Sequence, residues 1–179
     1  SFDAFFVTMT KVYTNYTDFG LVEKSGDLIS STFGRSGPTN LADRVHIQRV
    51  VKTKDFGIGV YQAGDAFRVP SLLFGHPLFD EKGKLMRIVY AALDLAVLNG
   101  AAAKTELPPG GVIHVLDRNG QVLATHPEPE RWLGHSAAGS PVMTTLLKST
   151  EGTAEISGLD GVSRLYAFLP IRNGPEAGL

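Results

Sequence analysis

Leu78-Phe-Asp80-Glu-Lys-Gly83 runs into Lys84-Leu-Met-Arg-Ile-Val-Tyr90, and Val112-Ile-His-Val-Leu-Asp117-Arg-Asn-Gly120 runs into Gln121-Val-Leu-Ala-Thr125. Both stretches set Asp-x-x-Gly between two β-prone runs. The Asp side chain caps such a turn, and Gly accepts the positive φ that a tight hairpin needs. Gly20-Leu-Val-Glu-Lys-Ser-Gly26, continuing into Asp27-Leu-Ile-Ser-Ser31, repeats the theme. A fourth turn, Asp160-Gly161, divides the run Thr153 to Ser157 from the run Ser163 to Leu169. Turns of this kind at successive strand boundaries predict an antiparallel meander.

Helical spacing fills the gaps. Phe2, Phe5, Phe6, Met9 and Val12 predict an amphipathic helix over residues 1–13. Leu41 to Lys52 has the same periodicity with Asn40 as its N-cap, and Pro141 suits the first turn of a helix ending at Lys148. A further helix is expected over Leu95 to Ala103, before the linker-like Glu106-Leu-Pro-Pro-Gly-Gly111. One order of parts then appears twice: hairpin, loop, helix, and strands joined by a tight turn. The first pass covers 19–31, 41–52, 57–62, 70–78 and 84–94. The second covers 111–126, 141–149, 152–157 and 162–170, with no final strand before the turn-like Asn173-Gly-Pro. The expected class is α+β, with two tandem PAS-like units, each an antiparallel sheet flanked by helices, and an N-terminal helix. The expected boundaries are 1–18 for the end of that helix, 19–104 for the first unit and 105–179 for the second.

Bulk composition narrows the function. The 179 residues are 43% hydrophobic and 20% charged, which predicts a packed core. A net charge of −1 gives no basic field for a polyanion, so no nucleic-acid partner is expected. There is no cysteine, hence no disulfide and no thiolate nucleophile or metal ligand. No apolar run approaches the roughly 20 residues that span a bilayer. The chain opens on Ser1 without a signal peptide and reads as an excised or processed piece.

Chemistry-bearing motifs are sparse. Gly134-His-Ser136-Ala-Ala-Gly139 has the wrong spacing for a nucleophile elbow, and no phosphate-binding glycine loop occurs. The histidines at 46, 76, 114, 126 and 135 are scattered without metal-ligand spacing, so no metal site, cofactor or catalytic residue is expected. Three polar residues stand out. Arg44 falls in the helical stretch beside Asp43, Tyr61 sits near the end of the strand that begins at Gly57, and Asp94 ends an apolar strand. Each also has a structural reading: a salt bridge to Asp43, a half-buried ring with a wet hydroxyl, and an N-cap for the helix starting at Leu95. Together they supply a cation, a hydroxyl and an anion suited to a small polar or zwitterionic ligand.

These segments, in this order, resemble the double Cache family of bacterial extracytoplasmic sensors. The resemblance runs from about residue 19 to 172. It rests on Gly20 to Ser31, Asn40 to Ile47, Phe56 to Tyr61, His76 to Gly83, Ala91 to Leu98, Leu107 to Gly111, Leu116 to Gly120, Leu133-Gly134 and Gly161 to Ile171. It implies a membrane-distal ligand-binding unit, a membrane-proximal unit and flanking membrane spans outside this chain. It implies a periplasmic location and a homodimeric parent receptor, in the first instance a sensor histidine kinase. A diguanylate cyclase or chemoreceptor parent, or a ligand-free dimerisation module, stays open. An enzyme built on His46 or His76 with a distant carboxylate is the remaining alternative. In the amino-acid-binding branch an Arg, a Tyr and an Asp hold the ligand, and Arg44, Tyr61 and Asp94 fall on those positions. His46 and Ile47 stand where that branch has Trp and Tyr, and Thr39 where it has another Tyr. The implied ligand is therefore an amino acid, a small carboxylate or a similar metabolite. The expected ligand-binding set is Arg44, His46, Tyr61, Ser71 and Asp94, shaped by the loops 31–39 and 62–70.

Overall fold

The hairpins predicted from the turns form and the strands pair antiparallel, but not as one meander: the strand Leu85–Asp94 returns to pair with Tyr16–Glu23 in a five-stranded sheet, and the remaining strands form two separate hairpins. A computed structural model describes residues 2–33, 39–63, 69–148 and 151–171. The chain divides into the units Ser1–Glu106 and Leu107–Leu179. The parts of the loops 31–39 and 62–70 that fall at 34–38 and 64–68 lie outside the described residues, as does the turn expected at Asn173.

In the N-terminal unit, α1 (Phe2–Val12) precedes β1 (Tyr16–Glu23) and β2 (Leu28–Ser31). Next come α2 (Val45–Thr53), β3 (Gly57–Gln62), β4 (Ser71–Phe79), β5 (Leu85–Asp94) and α3 (Ala96–Ala103). The five strands make one antiparallel sheet in the order β2-β1-β5-β4-β3. Its two faces are covered by different helices. On one, Phe6 of α1 packs with Phe19 and Leu21, and Asp3 accepts a hydrogen bond from Ser30. On the other, Ile47 and Val50 of α2 close a core with Val22, Leu28, Leu73, Ile88 and Ala92. Fully burying each such aliphatic side chain contributes roughly 1.5–3 kcal/mol, so this second face carries most of the unit's packing energy.

Glycine brings α2 down onto that sheet. Across the strands, Gly57 pairs with Gly75, Gly75 with Tyr90, Tyr90 with Gly20, and Gly20 with Ser31. A Cβ on Gly57 would lie 2.5 Å from the His46 carbonyl oxygen, and one on Gly75 would lie 3.0 Å from Val50 Cγ2. The helix therefore rests partly on bare backbone. A Cβ on Gly20 would meet the Tyr90 ring at 2.3 Å, so that ring lies across β1.

The start of α2 departs from expectation. Asn40 does not cap a helix beginning at Leu41. It pairs with Asp27 in an isolated bridge, donates to Asp27 Oδ1 at 2.7 Å, and accepts the Ala42 N–H at 2.8 Å. Those local bonds give the backbone an alternative to helix over the next residues. Helix begins only after Arg44, which is itself the N-cap in extended geometry (φ −73°, ψ 131°).

The C-terminal unit contains β6 (Ile113–Leu116), β7 (Val122–His126), a single turn α4 (Pro129–Trp132) that the sequence reading did not anticipate, and α5 (Pro141–Lys148). It continues with β8 (Gly152–Ser157) and β9 (Ser163–Phe168). Its strands form two antiparallel hairpins, β6-β7 and β8-β9. The Asp-x-x-Gly turns close as expected in both units. Asp80 Oδ1 accepts from the Lys82 and Lys84 N–H groups, and Asp117 Oδ1 from those of Asn119 and Gln121. Gly83 and Gly120 take φ of 74° and 80°. The fold is α+β, with antiparallel sheets flanked by helices.

Candidate functional site

Polar side chains gather on the α2-facing side of the first sheet. Gln62 pairs with Ser71, and Ser71 with Asp94, which sets three polar residues in one row across β3, β4 and β5. Cross-strand partners share a face, and Ala92 and Leu73, two residues along, belong to the α2 core. Arg44 is held at the same end by its position before α2. Its Nη1 donates to Gln62 Oε1 at 3.1 Å, while its Nε lies 3.8 Å from Asp43, whose side chain is 80% exposed. The cation thus has one neutral partner and one solvated, loosely placed anion. A solvated pair of that kind adds little stabilisation.

Asp94 Oδ1 accepts the Ala96 N–H at 2.8 Å, so its carboxylate caps the first turn of α3. Ser71 is fully buried and donates to the Val69 carbonyl at 2.9 Å. Arg44 reaches Gln62 rather than Asp94, so the cation and anion singled out in the sequence stand at opposite ends of the polar row. Strand spacing puts those ends about 10 Å apart, two interstrand steps.

Tyr61 takes a different place from the other expected residues. A register shift between Ile58 and Tyr61 pairs Tyr61 with Leu72, on the sheet face away from α2, and leaves Gln62 facing Arg44. Simple alternation from Gly57 and Gly59, which both lie under α2, points Tyr61 inward; one bulged residue exchanges it for its neighbour. Only a glycine inside a strand pattern, here Gly59, hints at such a bulge.

A buried polar cluster adjoins this row. Tyr90 donates to Asp18 Oδ2 at 2.7 Å, the Thr32 N–H donates to Asp18 Oδ1 at 3.0 Å, and Ser31 also hydrogen-bonds Tyr90. Burial pushes the Asp18 carboxyl above its ordinary range, opposed by the bonds from Tyr90 and Thr32. Burial first, then the charge of Asp18, pushes the Tyr90 hydroxyl up. His46 sits over Gly59 with its ring centroid 6.1 Å from that of Tyr90. It is 2% exposed, and burial followed by the nearby Arg44 charge holds its imidazole down to about 4. Its Nε2 is buried without a hydrogen-bond partner. Sequence reading passed over Asp18, Tyr90 and Gln62. Asp18 and Tyr90 are 72 residues apart, and neither alone signals a buried pair.

Two cavities lined by described residues lie elsewhere. One of about 760 Å³ separates α1 from the opposite sheet face, with Phe5, Phe6, Met9, Phe74 and Met86 in its lining. The other, about 710 Å³, is in the C-terminal unit among β6, α5 and β9. The described lining of the first is almost wholly apolar and lacks the convergent polar groups that orient a ligand; the α2 face has them. Among the described residues no cluster of three metal-ligating side chains occurs, and no helix is long and apolar enough to cross a membrane.

The architecture has clear counterparts among solved structures. The extracellular domain of rpHK1S-Z16, a protein classed as a histidine kinase, matches with a TM-score of 0.76 at 18% identity, over 94% of this chain and 71% of that one. The fold is that of a Cache-type sensor domain. The ligand-binding domain of the Pseudomonas fluorescens chemoreceptor CtaA, solved with L-isoleucine, has the same fold (TM-score 0.67, 15% identity, 94% of this chain and 68% of that one). So does the sensor domain of the V. cholerae histidine kinase DctB (TM-score 0.63, 13% identity, 98% and 74%). No family model matches the sequence, and no curated protein does either. At these identities the Cache likeness establishes the fold, while the residues that would select a ligand are this chain's own.

Proposed function

We propose that the chain is the extracytoplasmic sensor domain of a membrane receptor, and that its N-terminal unit binds a small polar metabolite beside the first turn of α2. Three lines support a sensor rather than a catalyst. Cache-type neighbours are sensor and ligand-binding domains, several of them solved with amino acids. A hydroxyl meets an imidazole at Thr125 and His114 (2.9 Å) within the β6-β7 hairpin, and among the described residues no such pair stands on the α2 face. The polar groups on the α2 face are those of recognition: a cation, an amide, hydroxyls and a carboxylate. The observation that carries the reading is Arg44, a half-exposed guanidinium at the N-cap of α2 whose partners among the described residues are the Gln62 amide and, more loosely, the solvated Asp43. A helix start without a side-chain cap adds its own positive potential there, so the position suits a carboxylate.

The N-terminal unit is taken as membrane-distal, the C-terminal unit as membrane-proximal, and the parent as a homodimeric histidine kinase anchored by spans outside this chain. One of the similar structures is the extracellular domain of a protein classed as a histidine kinase, which supports that choice of parent. Signalling is a population shift: a ligand that prefers a closed sheet–helix arrangement stabilises it by its difference in affinity. At 100 times its dissociation constant, one ligand contributes roughly 2.7 kcal/mol. A thermal-shift screen of small carboxylates and amino acids is the direct test. Hits should raise the melting temperature of the native chain and lose at least about tenfold in affinity in Arg44→Ala, the loss of one charge-assisted hydrogen bond. Hits whose affinity ignores Arg44 would place the site elsewhere.

A further inference from the structure

Among the described residues of the α2 face, one buried side-chain polar atom has no hydrogen-bond partner. His46 occupies the second position of a nine-residue helix whose start receives no side-chain cap, with Arg44 immediately before it. Helical side chains tilt toward the N-terminus, which directs the His46 ring, 6.1 Å from that of Tyr90, toward the start of α2 where Arg44 stands. Its neighbours are committed. The Tyr90 proton is given to Asp18, the Asp18 oxygens receive Tyr90 and Thr32, and Ser71 is turned to Val69. That leaves the buried His46 Nε2 without a hydrogen-bond partner among the described residues. A buried ring atom of this kind costs the free fold stability, and leucine would fill the position without that cost. A polar atom left open in a packed core calls for a partner from outside the chain, an ordered water, an ion or a group of a bound ligand.

We propose that His46 is a specificity-determining contact: beyond the carboxylate at Arg44, the ligand carries an uncharged hydrogen-bonding group that pairs with His46 Nε2. This rests on the reading of the α2 face as the ligand site, and it deepens that reading by naming the ligand class, a small monocarboxylate with a hydroxyl or similar neutral group. Three features exclude a second charge at that end. The imidazole is neutral there. The buried Asp18 carboxyl, bonded to the Tyr90 hydroxyl beside His46, disfavours an anion. Its oxygens are already engaged, so it offers little to an ammonium group.

The test is calorimetric titration of the chain with matched pairs: acetate and glycolate, propanoate and lactate, butanoate and 3-hydroxybutanoate, pentanoate and 4-hydroxypentanoate. Succinate and 2-aminobutanoate serve as the doubly charged and zwitterionic probes. At least one hydroxylated acid should bind about tenfold or more tightly than its parent and than both charged probes. The hydroxyl advantage should disappear in His46→Leu and survive largely in His46→Gln, which keeps a hydrogen-bonding amide. Arg44→Ala should weaken both members of the pair alike. An advantage equal in wild type and His46→Leu, or tighter binding of succinate or 2-aminobutanoate, would overturn the role of His46 while leaving an Arg44-dependent site standing. If none of these acids gives Arg44-dependent heat, the site itself fails and this inference with it. Thermal melts of the two His46 variants establish that each is folded before titration.

Discussion

The two units repeat one order of parts, yet they differ in where their polar side chains go. In the N-terminal unit β5 lies between β1 and β4, and the joined sheet buries Asp18, Ser31 and Ser71 against α2, which is seated on glycine and contributes His46. In the C-terminal unit the two hairpins remain separate sheets; Leu165 on β9 is more than three-quarters exposed and Leu169, just after it, three-quarters exposed. A central strand that pairs on both sides lets side chains from distant segments meet on one buried face. Hairpins alone do not. The difference teaches that a repeated topology does not give repeated sites: among the described residues the C-terminal unit buries the polar side chains of Asp117 and Thr125 within one hairpin, whereas the N-terminal unit buries polar side chains from four elements, β1, β2, α2 and β4.

Perturbing each unit separately sharpens that contrast. The largest expected effect is Gly57→Val, whose side chain would drive into the His46 carbonyl. It should cost about 3 kcal/mol or more and lower the melting of the N-terminal unit, since overpacking against backbone has no side chain to displace. A single unshifted transition would show that α2 does not rest on that strand. Next is acid sensitivity. His46 is held down to about 4 when folded, against 6.5 as its ordinary value. The unfolded chain therefore binds more protons between those values. Stability tied to His46 is whole above pH 6.5 and is lost as the pH falls toward 4, by about 3 kcal/mol. Asp18 acts oppositely: its raised value means that its burial cost is relieved as the pH falls through the folded pKa. Subtracting the His46→Leu stability curve from the wild-type curve between pH 4 and 7.5 isolates the His46 limb. A flat difference would mean that the ring is not desolvated.

Tyr90→Phe comes third. It removes the donor to a buried carboxylate and should destabilise the N-terminal unit by about 2 kcal/mol, the usual cost of leaving such a group unpaired. The smallest effect belongs to the other unit. Leu165→Ser, on the exposed face of β9, should change stability by less than about 0.5 kcal/mol in chemical denaturation. A loss well above that would show that the face is covered in solution.

The sequence made the frame legible because hairpin turns are local. Asp80 and Asp117 each bond N–H groups within four residues, so the turn chemistry is written in the motif itself. Strand ends along β3, β4 and β5 follow from the same logic. The α2 boundary was not legible, because Asn40 signals a cap equally well for a helix or for the bridge to Asp27 that it actually joins. The candidate site was legible in part. Arg44, Ser71, His46 and Asp94 are all on the α2 side. Tyr61 and Gln62 are exchanged by one bulged residue, and the Asp18–Tyr90 pair depends on strands distant in the chain. Sheet register, unlike turn chemistry, is settled by tertiary packing.

The seating of α2 on glycine has a mechanical corollary. Side chains between a helix and a sheet act as cushions, taking up small displacements by changing rotamer. Where the helix lies against main chain there is no such slack, and a push at its first turn passes undiminished along its axis. Residues 44 and 46 then behave as two teeth on one rigid bar. Whatever pulls on one repositions the other, and the sheet beneath must accommodate both movements together.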